Sequence, residues 1–251
     1  MANIVRCELP DGVHRFKPFT VADHRDFILV RNDMTTKSEE EQKLIIDELM
    51  EDYFYEYPKA FRPYIFLKVY LSSIGKTKIP VVMTCSKCKK DKRYLFNLKQ
   101  APLKNPEVEV SGLKLKFSFP DEIIEDTAKM IVENIMSVED SNGVYEWNTL
   151  DDNNKLLVID AITIDVFESI ISQMKTIDFE LKTRCCDDTK IIKYDNIYDI
   201  FKLLIHPDEV YIFYQINHRL ITQGKYDLGS VMSMLPVERG IALSLVEKDL
   251  K

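Results

Sequence analysis

Four of the five cysteines in this 251-residue chain fall in two tight pairs, Cys85-Ser-Lys-Cys88 and Cys185-Cys186. A C-x-x-C turn aims two thiolates at one point, and it is the commonest half-site for structural zinc, which takes four sulfur or nitrogen ligands in a tetrahedron. The second pair departs from the pattern, because it reads Cys-Cys where a complete knuckle would read Cys-x-x-Cys. Adjacent side chains of an extended segment point to opposite faces, so both can ligate only if the chain kinks between them. Three readings stay open. One is a zinc site made by Cys85, Cys88, Cys185 and Cys186, or by three of them completed by Asp187, Asp188 or a distant histidine. Another is a pair of hairpins carrying free thiols. The third is a redox dithiol, although that motif normally opens a helix, whereas this one tips a lysine-rich hairpin.

Other chemistry is thinly represented. Among the seven glycines there is no G-x-G-x-x-G and no G-x-x-x-x-G-K-[ST], so the usual phosphate-cradling loops are missing. Neither G-x-S-x-G nor H-E-x-x-H occurs. His14, His24, His206 and His218 are scattered, with no cysteine or carboxylate at a meaningful spacing. The expectation is a protein that is not an enzyme.

Charge divides the chain unevenly. Lys+Arg 34 against Asp+Glu 41 leaves −7 overall, which argues against a dedicated nucleic-acid binder. Yet Lys76, Lys78, Lys87, Lys89, Lys90, Lys92, Arg93, Lys99 and Lys104 crowd around the first cysteine turn, opposed by Asp91 alone. That stretch suits an acidic partner surface, or lysines that guard strand edges against aggregation. A zinc-ribbon regulator that binds nucleic acid is the alternative such a hairpin raises. Five cysteines with Cys7 left over do not make a secreted disulfide framework, which points to a reducing cytosol. No apolar run approaches the ~20 residues of a membrane span, and Met1-Ala-Asn-Ile-Val-Arg-Cys-Glu-Leu-Pro10 lacks a signal-peptide core.

The elements that must position these residues follow from periodicity. Asn3 to Leu9 and Val13 to Phe19 flank a Pro10-Asp11-Gly12 turn and predict a hairpin. Thr20-Val-Ala-Asp23 and Ser38-Glu-Glu-Glu41 predict capped helices. In the second of these, Ile45, Leu49 and Tyr53 form one seam, with Ile46, Met50, Phe54 and Tyr57 beside it. Glu39, Glu40, Glu48, Glu51 and Asp52 then form a solvated face. Pro63 suits the first turn of an almost wholly apolar helix that stops at Gly75. Ile79 to Thr84 and Arg93 to Leu98 flank the C-x-x-C turn. Strict alternation around Ser111-Gly112 predicts a second hairpin between Val108 and Phe119. Pro120-Asp121 is expected to open a helix carrying Ile124, Ala128, Ile131 and Ile135, and Ser137 to Asn154 a loop or small hairpin. Helical pattern resumes near Leu156 and through Val166 to Met174. Strands follow at Ile177 to Thr183 and Ile191-Ile192, then helices to the end, the last pair separated near Leu235-Pro236.

The fold class is therefore α+β, mostly helical with several short β-hairpins. Twice, at Pro63 to Leu98 and Asp165 to Tyr194, a helix feeds a strand, a cysteine turn and a returning strand, which suggests two pseudo-repeated units. Residues 1–205 read as an α+β body and residues 206–251 as a C-terminal helical segment, the two also being compatible with one continuous domain.

The order of motifs resembles the baseplate hub and hub assembly proteins of T4-type contractile-tailed bacteriophages. The resemblance runs from Lys17-Pro-Phe-Thr-Val-Ala-Asp23 through Arg62-Pro-Tyr-Ile-Phe-Leu-Lys-Val-Tyr-Leu-Ser-Ser-Ile-Gly75 to Thr84-Cys-Ser-Lys-Cys88. It continues through Thr183-Arg-Cys-Cys186 and Ile197-Tyr-Asp-Ile-Phe201 to Met234-Leu-Pro-Val-Glu-Arg239. Relatives with two complete C-x-x-C turns make Cys185-Cys186 look like the remnant of a second knuckle. The resemblance implies a late phage protein in the host cytoplasm, a non-enzymatic assembly factor or chaperone whose partners are other hub proteins. A permanent structural subunit of the virion baseplate is the alternative it implies. Met234 to Arg239 reads either as a docking element or as the start of the last helix at Pro236, with Glu238 in its first turn.

Overall fold

Alternating apolar residues around Pro10-Asp11-Gly12 build the first hairpin. In the computed structural model, which describes residues 4–121, 124, 126–186 and 188–250, β1 (Val5–Leu9) pairs antiparallel with β2 (Gly12–Phe16). One face of β1 buries Val5, Cys7 and Leu9. Asn3, also expected in this hairpin, lies outside the described residues. Thr20 and Asp23 close a capping box on α1 (Val21–Asp33), and Ser38 and Glu41 close another on α2 (Glu39–Phe54). Ile46, Leu49, Met50 and Phe54 of α2 are buried, and Glu39, Glu40, Glu48, Glu51 and Asp52 face solvent.

Helix α3 (Arg62–Ser73) is the centre of the largest core. Tyr64, Ile65, Phe66, Leu67, Val69, Tyr70 and Leu71 are all buried along it. Its last turn ends at Gly75, whose φ of +66° is the left-handed conformation that glycine adopts without strain. Two hairpins follow. They are β3 (Lys78–Thr84) with β4 (Asp91–Asn97), and β5 (Glu107–Val110) with β6 (Leu113–Phe117).

The next segment departs from expectation. The predicted long helix shortens to α4 (Thr127–Glu133), capped by Asp126, and Ile135 opens a strand instead of ending a helix. Sheet pairing overrides helical spacing here, since β7 (Ile135–Asp140) joins β6 with Ile135 opposite Phe117. Glu122, Ile123 and Glu125 lie outside the described residues. The polar stretch after Ser137 forms a true hairpin, β7 with β8 (Gly143–Glu146), completing an antiparallel sheet of order β5-β6-β7-β8.

Helices α5 (Asp152–Ala161) and α6 (Ile164–Gln173) cover that sheet. The chain then forms β9 (Phe179–Cys185) and β10 (Asp188–Tyr194), followed by α7 (Ile197–Leu204), α8 (Glu209–Thr222), α9 (Leu228–Ser233) and α10 (Pro236–Asp249). The class is α+β.

Three hydrophobic clusters organise these elements. The largest joins α1, α2, α3, β1, both cysteine hairpins, α7 and Phe213 of α8. A second lies between the four-stranded sheet and α4 to α6, around Leu115, Phe117, Ile131 and Ile170. A small third one gathers Leu220, Val231, Ala242 and Val246 of the C-terminal helices. The order helix, strand, cysteine turn, strand occurs at α3-β3-β4 and again at α6-β9-β10. The two helices differ in surroundings, because α3 is central to the first cluster while α6 buries Ile170 in the second.

Candidate functional site

The cysteine hairpins are fixed to one another at their bases by aromatic packing. Phe96 of β4 is fully buried; its ring centroid lies 5.0 Å from that of Tyr194, and Phe179 meets it edge-on at 6.1 Å. Register carries this alignment outward, with Val81 opposite Tyr94 and Leu181 opposite Ile192. Nearer the tips the contacts turn polar. Lys92 Nζ donates to the Arg184 carbonyl at 3.2 Å, Tyr94 Oη donates to the same oxygen at 3.1 Å, and Lys190 Nζ donates to Ser86 Oγ at 3.0 Å. Two hairpins nearly a hundred residues apart are thus held side by side.

The turns then aim the sulfurs inward. Cys85 closes the first turn through its own N–H to the Lys90 carbonyl (3.0 Å) and its carbonyl to the Lys89 N–H (2.9 Å), with Lys89 at φ +57°. In the second turn Cys185 ends β9 opposite Asp188, and Cys186 takes φ +53°. That left-handed step is the kink the adjacent pair requires. It swings Cys186 back to the side of Cys185, and their sulfurs lie 3.8 Å apart. Cys88 Sγ lies 3.6 Å from Cys185 Sγ, and all four sulfurs fall within 4.8 Å of one another. Cys85, Cys88 and Cys185 are half-buried and Cys186 is exposed. Among the described residues no histidine joins the group. Asp187 lies outside the described residues, as does the side chain of Asp188.

The electrostatics are uneven across the cluster. The backbone N–H of Cys88, then that of Lys87, hold the Cys85 thiol down to about 6. Its partners go the other way. Cys185 is raised, first by its hydrogen bond with Cys85, and Cys186 is pushed up to about 12, first by its bond with Cys88. Lys92 is raised by its hydrogen bond to Cys185. The backbone donors at the first turn therefore favour negative charge at the Cys85 sulfur over Cys185 and Cys186. The C-x-x-C turn joins two strands and opens no helix, unlike the redox motif. Cys7 stands apart in the main core, where burial pushes its thiol up to about 12.

A second polar concentration escaped the sequence reading. Arg239 is buried, donates from Nη1 to Asn217 Oδ1 at 3.1 Å, and sits 4.5 Å from the centroid of Phe213. Burial draws its guanidinium down to about 10, with Glu209 acting to raise it. His24 of α1 lies beside it, 3.9 Å from Glu209, and the Val21 N–H donates to the Met234 carbonyl at 2.8 Å. Pro236 does begin α10, and Glu238 accepts from the Leu235 N–H at 2.8 Å. The same stretch also fastens the C-terminal helices to α1. The spacing of Leu235, Arg239, Ala242 and Val246 could have signalled that Arg239 shares the buried face.

The sequence profile described as T4 bacteriophage base plate protein matches residues 1–202. The chain belongs to this family. A second profile, described as Baseplate hub assembly protein Gp51 C-terminal domain, matches residues 204–251. Together the matches assign this T4 base plate family member to phage baseplate hub assembly. No individually curated protein matches the chain, and no solved structure does. The cysteine cluster lies wholly within the T4 base plate match, whereas the Val21–Met234 and His24–Glu209 contacts join that match to the hub assembly domain. Among the described residues of this family member, no helix is long and apolar enough to cross a membrane.

Proposed function

We propose that the chain is a non-enzymatic assembly factor for the central hub of a contractile phage baseplate, acting in the host cytoplasm by binding other hub proteins. The observation that carries this reading is the succession of the two family matches, a base plate body followed by a hub assembly C-terminal domain. The C-terminal surface supports it. Tyr211 and Tyr214 on one side of α8, with Ile241 and Leu245 on one side of α10, are all more than half exposed, and such side chains suit protein contact. The cysteine cluster enters as a part of the scaffold.

Co-expression with the other hub proteins of the same phage, followed by size exclusion, tests this. A stable complex is expected, and Tyr211→Ser with Ile241→Ser should weaken it while the free chain stays folded. Absence of a complex with every hub protein would overturn the reading. The base plate match also favours a second reading, a permanent baseplate subunit. Mass spectrometry of purified virions separates the two, since stoichiometric copies in the particle would replace the assembly-factor reading with the structural one.

A further inference from the structure

We infer that Cys85, Cys88, Cys185 and Cys186 together bind one Zn2+ as a tetrathiolate that fastens the β3–β4 turn to the β9–β10 turn. The inference stands on the cluster's geometry and does not depend on the assembly reading. A tetrahedron with a metal–sulfur distance of about 2.3 Å has sulfur–sulfur edges of about 3.8 Å. The separations of 3.6 Å and 3.8 Å, with all four sulfurs inside 4.8 Å, fit four corners around one centre. Four soft thiolates in that arrangement select zinc over the oxygen-loving cations.

The surroundings fit the same group. These thiols sit at the tips of two hairpins, where little apolar surface is available to hold them together. Cys186 nonetheless occupies a left-handed turn position that ordinarily favours glycine or asparagine. A cysteine at that position is unfavourable for the turn alone and useful for ligation, since only the kink brings it round beside Cys185. The ligands are also oriented from outside. The N–H groups of Lys87 and Cys88 point at the Cys85 sulfur, and Lys92 reaches Cys185. A zinc tetrathiolate carries two negative charges, and the surrounding Lys87, Lys89, Lys90, Lys92, Arg184 and Lys190 offset them. The basic stretch around the first turn thereby acquires a local role. The malformed second knuckle also becomes a complete half-site: a strand-end cysteine plus a left-handed turn cysteine does the work of C-x-x-C.

The test uses the full chain purified without chelator. Elemental mass spectrometry should find one zinc per chain, and a mercurial should release it. Chelation should expose four additional thiols to a disulfide reagent. One equivalent of Co2+ added to the metal-free chain should give the visible d–d and sulfur charge-transfer bands of tetrahedral thiolate coordination, a measurement that needs no variant. Cys186→Gly provides a second check, because glycine suits the positive φ. A residue that serves only the turn predicts an equal or higher melting temperature. A ligand predicts a lower one, with zinc retention weakened by more than the roughly 10–100-fold that altering a ligand's hydrogen-bond partner costs. A chain with four reactive thiols that takes up neither Zn2+ nor Co2+ at one equivalent would overturn the inference. Stoichiometric iron in place of zinc would do the same, as would unchanged zinc retention in Cys186→Gly.

Discussion

A methyl group placed on Gly75 would lie 2.9 Å from Cγ2 of Val237, so the end of α3 and the start of α10 are in direct contact. Gly75 is thus constrained twice, by its φ of +66° and by this approach. Gly75→Ala should cost about 1–3 kcal/mol, from the left-handed penalty and the overpacking together. Adding Val237→Ala should recover only the steric share. A urea-denaturation double-mutant cycle measures both terms. Independence of the two sites would show that this contact does not couple the hub assembly domain to the body.

Zinc should stabilise the fold in a pH-dependent way. The metal would close a loop of 97 positions between Cys88 and Cys185, but the Phe96–Tyr194 packing already restrains that loop. Chelation should therefore remove about 2–4 kcal/mol, somewhat less than full loop-closure entropy. Ligation needs deprotonated thiols, so zinc affinity and its stabilisation fall as pH falls. Thermal unfolding with and without chelator, at neutral and at mildly acidic pH, checks this; the gap between the curves should narrow on acidification.

Phe96 carries the base of the paired hairpins. Phe96→Ala should destabilise by about 3–5 kcal/mol, the range for a large buried aromatic truncated in a core. It should also loosen metal retention, although no ligand is touched. Denaturation combined with chelator competition reads both effects. Full retention of zinc in the variant would mean that the tips hold their geometry without the aromatic base.

His24 ties stability to pH at the junction of α1, α8 and α10. Burial first, then Arg239, lower its pKa from 6.5 to about 4. Between those values the unfolded chain binds a proton that the folded chain refuses. The contribution is therefore whole above pH 6.5 and is lost as pH falls towards 4. Glu209, raised chiefly by burial, binds its proton more readily in the folded chain and works in the opposite sense. The net loss across the window should be about 1–3 kcal/mol. The slope of stability against pH should flatten in His24→Gln, and an identical slope in that variant would exclude His24 as its source.

Most of the fold was legible because local rules agreed with tertiary demand. The capping boxes at Thr20 and Ser38, the apolar run of α3 and the alternation around Gly112 each specified an element before packing was known. The reading failed at Ile135, where helical spacing continued but pairing with Phe117 made a strand. Periodicity records which residues are apolar, and a short segment cannot show whether its neighbour is a helix or a sheet edge. Helical spacing with Ala242 and Val246 could place Arg239 on the buried face, but its partners Asn217 and Phe213 lie on a different helix and were not legible locally.

For the cysteines, sequence by itself determined the ligand types and one good half-site, Cys85 with Cys88. It could not decide whether Cys185 and Cys186 face one point, because in an extended strand they would diverge. Tertiary structure decided that through the left-handed backbone at Cys186 and the aromatic packing that sets one hairpin against the other. Ligand identity is local and written in the chain, whereas the convergence of four sulfurs depends on contacts between segments almost a hundred residues apart.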